Sequence, residues 1–163
     1  MNSTRAGFDE FWVRNRDRLC RALALTVGDA QLATDAIDEA MARAYQRWAH
    51  VSSLEAPAGW VFRVGLNWSR SLLRRARRQP PAWLSPAFAQ PAEITEPSID
   101  AALAALPIDQ RAVVVCRHLL QMSEADTAAA LGVPPGTVKS RLSRATSKLT
   151  ESLAHLDPKE VQR

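Results

Sequence analysis

Several things are scarce in this sequence. Its 163 residues include two cysteines, one tyrosine and three methionines, and only three of the 21 basic side chains are lysine. Cys20 and Cys116 stand far apart, each inside an apolar helical pattern, which predicts buried free thiols and not a disulfide framework. His50, His118 and His155 keep no ligand spacing with them, so neither a metal nor another cofactor is expected. No apolar run approaches the ~18 residues of a membrane helix, and the first residues lack the apolar core of a secretory signal. Phosphate loops and nucleophile–base spacings are missing too, which argues against an enzyme. Strand-like alternation is absent. The expectation is an all-α, cytoplasmic, non-enzymatic protein.

What remains is arginine, 18 residues of it, in a chain with a net charge of only +4. A GC-rich coding bias would also enrich Arg and Ala, so position must decide what the arginines are for. Residues 1–78 carry 13 basic and 8 acidic groups, and residues 99–163 carry 8 and 7. Between them, residues 79–98 hold no Lys or Arg but five of the ten prolines. Proline removes backbone donors and restricts the residue before it, so this piece reads as a linker. Trp83, Leu84 and Phe88 within it are expected to pack on a domain or partner. Stretched, it would span ~70 Å, about two turns of duplex DNA. Two small helical domains with separate cores follow, with helices expected near 6–27, 30–48, 57–77, 98–105, 108–120, 123–131 and 135–156.

Two helices carry the chemistry. At 100° per residue, Arg63, Asn67, Arg70, Arg74 and Arg77 fall in one sector of about 80° beside Trp60. Val61, Phe62, Gly65, Leu66, Trp68, Leu72 and Leu73 cover the other side. No acid occurs from Gly59 to Gln90, and such unbalanced charge calls for a polyanion. Phosphate contacts with base stacking on Trp60 would use this stripe fully. The preceding loop, 49–58, could accept an unstacked base, although a plain helix connector would look the same.

The second is a helix-turn-helix. An Ala-rich segment opens at Ser123, with Asp126 as the partner in a capping box, and stops at Gly132. A longer helix then starts at Pro135, with Val138, Leu142, Ala145, Leu149, Leu153 and Leu156 as its packed seam. Thr137, Ser140, Arg141, Arg144 and Lys148 share the outward arc, and Lys139 adds charge beside them. Arg there suits guanine edges, and Ser or Thr suits bases or phosphates.

At this point the residues resemble a family, the extracytoplasmic-function (ECF) group of bacterial sigma-70-type RNA polymerase sigma factors. Three segments carry the resemblance: Gly28–Tyr45, Pro57–Arg78, and Leu103–Arg111 followed by Gly136–Ala145, which matches the pattern GTVKSRLxRA. Family membership would imply a region 2 bundle over 1–78, a linker over 79–98 and a region 4 helix-turn-helix over 99–163. The helix from Ala30 would dock on core RNA polymerase through Asp35, Asp38, Glu39, Arg43 and Gln46. Trp60, Arg63, Asn67, Arg70, Arg74 and Arg77 would bind and open the −10 element of promoter DNA. Thr137, Lys139, Ser140, Arg141, Arg144 and Lys148 would read the −35 element. An anti-sigma factor is implied as regulator, with no room left after the last helix for a further regulatory domain. Thr34, Ala36 and Asp38 depart from the usual polymerase-binding pattern, and Asp126-Thr127 from that of region 4. Pro134 stands where a capping Ser is usual, at a loss of ~1 kcal/mol of capping. The rival readings are a helix-turn-helix repressor or activator acting without polymerase, and a protein-interaction adaptor.

Overall fold

A computed structural model describes residues 2–78 and 98–154, with side chains from Arg5 onward. Eight helices make up these residues, and no strand occurs among them. They are α1 (Asn2–Val27), α2 (Ala30–Gln46), α3 (Trp48–Val51), α4 (Pro57–Arg78), α5 (Ile99–Ala104), α6 (Ile108–Val114, prolonged by a wider π-turn over Val115–Leu119), α7 (Glu124–Leu131) and α8 (Pro135–Leu153). The linker readings at Trp83, Leu84 and Phe88, and Leu156 of the expected seam, lie outside the described residues.

Local chemistry sets the first three long helices. Gly28, at φ +79°, ends α1 in the left-handed region, and Asp29 caps α2 by accepting the Leu32 N–H at 2.8 Å. Along α2, Ala33, Ala36, Ile37, Ala40, Met41 and Ala44 are buried at strict three- and four-residue steps. The four alanines among them bring α1 and α4 close. Gly65 of α4 completes the crossing, because a Cβ there would lie 3.0 Å from the Ile37 tip and 3.4 Å from the Ala36 carbonyl. The buried hydroxyls of Thr26 and Ser69 donate to Ala22 and Gly65 of their own helices, so neither is left unpaired. The helix expected over 30–48 breaks at Arg47 and restarts as α3. Trp48 then packs against Phe8 and Phe11, ring centroids 5.2 and 5.0 Å away. This short turn takes up part of what the sequence presents as a 49–58 loop.

In the second segment Ser98 caps α5 and Ser123 caps α7 through its hydroxyl oxygen. The capping box is only half formed. Asp126 accepts from the Ser123 hydroxyl at 2.7 Å and does not reach back to the backbone, being one methylene shorter than Glu. Gly132, at φ +65°, stops α7 as expected, and α8 starts at Pro135 behind a Pro134 that offers no side-chain cap. The uniform helix expected over 108–120 instead widens, with the Leu120 N–H reaching back five residues to the Val115 carbonyl at 2.9 Å.

The two segments do not keep wholly separate cores. One apolar cluster joins Phe8, Leu19, Ile37, Phe62 and Leu66 to Ala112, Val115, Cys116, Met122 and Ala130. Two smaller clusters, around Leu103–Leu106–Val114–Ala145 and Val113–Ala128–Val138, belong chiefly to the second segment. The expectation of two separate cores is corrected here. Burial of apolar surface between α1, α4, α6 and α7 overrides the independence that a proline-rich linker suggests.

Candidate nucleic-acid interface

α4 presents its stripe as its helical phase requires. Arg63, Asn67, Arg74 and Arg77 are exposed, while Trp60 and Arg70 are half-buried. Trp60 lines a groove with Leu54, Glu55 and Arg63 from its own segment and Asp126, Ala129 and Ala130 from α7. On α8, Lys139, Ser140, Arg144 and Lys148 are exposed, with Thr137 and Arg141 half-buried. Val138 and Ala145 lie fully buried on the opposite side. The Ser140 hydroxyl donates to the Thr137 carbonyl at 3.1 Å, which commits its donor and leaves the exposed oxygen able to accept.

Despite the absence of acids along α4, one of its cations, Arg70, finds an acidic partner within the chain. Asp109, at the start of α6, accepts from Arg70 Nη2 at 2.6 Å and pairs with Arg141 Nη2 at 3.5 Å. One carboxylate thus holds an arginine from each basic helix. Arg63 donates to the Ala129 carbonyl at 3.3 Å, a second link from α4 to the helix-turn-helix. A polyanion is therefore not the sole counter-charge of the stripe; the internal partner of Arg70 is invisible in the sequence, because an ion pair between distant segments leaves no mark on helical phase.

The residues expected to face a polymerase sit on the outer side of α2 with intramolecular partners of their own. Asp35 accepts from Gln31 at 2.9 Å, and Glu39 pairs with Arg43 at 2.8 Å. Asp38 receives a two-pronged contact from Arg16 of α1, at 2.7 and 2.8 Å. That hydrogen bond raises the Arg16 pKa still further, fixing its charge. Gln46 is exposed.

Three other side chains escaped sequence reasoning. Arg18 of α1 forks the Leu119 carbonyl with Nε at 3.1 Å and Nη2 at 2.7 Å, satisfying an acceptor at the end of the π-turn. Arg117 closes the same end on the Met122 carbonyl. Arg111 lies beside Gly28, and burial lowers its pKa. The cysteines are free, Cys116 buried and Cys20 half-buried, and burial raises both thiol pKa values, that of Cys116 to about 12. Neither is an activated nucleophile. No helix among the described residues is long and apolar enough to cross a membrane.

Comparison with known proteins places this geometry. The family model for Sigma-70, region 4, matches residues 97–149, which contain the helix-turn-helix. ECF RNA polymerase sigma factor SigM of Mycobacterium tuberculosis is 36% identical over 157 residues, covering 94% of this chain and 80% of that protein. RNA polymerase sigma-E factor of Streptomyces coelicolor is 36% identical over 164 residues, covering 96% and 92%. Among solved structures, the sigma factor RpoE in complex with the anti-sigma factor NepR, from Bartonella quintana, superposes with a TM-score of 0.69 at 25% identity, covering 91% of this chain and 98% of that one. CnrH in complex with the cytosolic domain of CnrY gives 0.62 at 26%, covering 92% and 89%. With more than nine-tenths of its length aligned to such proteins, the chain belongs to the ECF family of RNA polymerase sigma factors.

Proposed function

We propose that this chain is a transcription initiation factor that binds core RNA polymerase in the cytoplasm and directs it to specific promoters. The outer face of α2, with Asp35, Asp38, Glu39, Arg43 and Gln46, is its polymerase-docking surface. Trp60, Arg63, Asn67, Arg70, Arg74 and Arg77 bind and help open the −10 element, their guanidinium groups on phosphates and the indole under an unstacked base. Thr137, Lys139, Ser140, Arg141, Arg144 and Lys148 engage the −35 element in the major groove. Residues 1–78, 79–98 and 99–163 divide these tasks as polymerase- and −10-binding unit, linker and −35-binding unit. The chain itself contributes binding and strand separation, and the polymerase makes the RNA. An anti-sigma factor is its expected regulator, by analogy with the complexes named above.

The observation that carries this reading is that one chain bears two phased, basic helices on either side of a proline-rich segment. A repressor needs the second helix but has no use for the first. The test is reconstitution: the chain should co-elute with purified core polymerase and start transcripts at discrete sites on genomic templates. Operator-like DNA binding without co-elution would establish the repressor reading instead. Unchanged DNA binding after Arg141→Ala and Arg144→Ala would favour an adaptor.

A further inference from the structure

We propose that Asp109 is an intramolecular latch that holds the two basic helices in a closed state unable to engage a promoter, and that DNA competes with it for Arg70 and Arg141. This rests on the promoter reading for the identity of the competitor. The −35 and −10 elements lie, by their names, about 25 base pairs apart, on the order of 85 Å at ~3.4 Å per pair. In the structure, Arg70 Nη2 and Arg141 Nη2 reach the two oxygens of the same carboxylate at 2.6 and 3.5 Å. The two nitrogens therefore sit within about 9 Å of one another, those distances plus the width of one carboxylate. Helices held that close cannot both sit on their elements, so the closed state must open first.

The latch uses the chemistry of the ligand it blocks. A carboxylate offers a guanidinium the same paired anionic acceptors as a phosphate, so Asp109 occupies the donors that DNA would take. Arg63 is tied to the Ala129 carbonyl, and Trp60 lies in the groove shared with α7. By contrast Asn67, Arg74, Arg77, Lys139, Arg144 and Lys148 stay exposed and available for a first encounter. Asp109 is about half exposed, at 47%, which keeps the latch weak enough for phosphates to displace it.

The test uses the full chain with Asp109→Asn and Asp109→Ser as charge-removing variants and Asp109→Glu as the conservative control. Small-angle scattering should show a more extended population in D109N and D109S than in the wild type. A short random-sequence duplex at low salt should bind them about threefold more tightly, as the competent fraction rises. D109E should stay close to the wild type in both. Unchanged scattering, or opening with unchanged affinity for the duplex, would overturn the latch. So would loss of helical signal in both charge-removing variants, since Asp109 would then be a folding residue. Opening without duplex binding by any of the chains would likewise overturn the competition with DNA, whereas failure of every chain to co-elute with core polymerase would overturn the promoter reading, which separates the two failures.

Discussion

Alkaline titration of Cys116 offers a quantitative check on the shared core. The thiol is fully buried in the cluster joining the two segments, and desolvation moves its pKa from 9.0 to about 12. A group whose folded pKa is raised favours folding fully below its unfolded pKa, and that contribution is lost as pH climbs toward the folded value. Between about pH 9 and pH 12 the unfolded thiol has released its proton while the folded one has kept it, a slope near −1.4 kcal/mol per pH unit. By pH 10 the loss is about 1.4 kcal/mol. The assay is urea unfolding of the wild type and Cys116→Ala at pH 7, 8, 9 and 10, comparing the difference in unfolding free energy. Cys20 is common to both proteins and cancels. The advantage of the wild type should shrink by about 1–2 kcal/mol across that range. Parallel declines would refute the reasoning, because Cys116 would then titrate as an accessible thiol and the cluster would be open to water.

Other expectations concern function and packing. Trp60→Ala should spare closed-complex formation with the holoenzyme but weaken strand opening; normal permanganate reactivity of unpaired thymines would count against it. Arg144 is exposed and pairs with no acid among the described residues, so Arg144→Ala should lower the salt dependence of DNA binding by about one ion if it contacts a phosphate. An unchanged slope with altered sequence preference would place it on a base edge. Trp48→Ala should cost about 3–5 kcal/mol, since it removes a buried ring packed against both Phe8 and Phe11. A urea-measured loss below about 1 kcal/mol would show that the aromatic cluster is not a support of the fold.

What could be read in advance was whatever is periodic or locally determined. The buried face of α2, from Ala33 to Ala44, repeats at helical spacing, and the α4 stripe does the same in arginine. Gly132 marks its stop because only a residue without a Cβ enters that backbone region cheaply. The π-turn escaped because Val113, Val114, Val115 and Cys116 are apolar on every side and carry no phase to reveal a wider coil. The break at Arg47 has neither Gly nor Pro to announce it. Arg70 with Asp109, Arg16 with Asp38 and Arg18 with the Leu119 carbonyl are 39, 22 and 101 residues apart, and such pairings depend on how helices are set against one another.

Pro134 and Pro135 have a thermal consequence. The start of α8 has no side-chain acceptor for its free N–H groups, yet two consecutive rings hold the backbone there, with Pro134 at φ −61°. Rigidity of that kind acts by narrowing the denatured chain, with about 0.4–1 kcal/mol expected for each well-placed ring. Being entropic, the effect grows with absolute temperature, whereas a serine cap depends on a hydrogen bond that warming loosens. The leading end of α8, with Thr137 and Ser140, should therefore be among the last parts of the second segment to fray on heating.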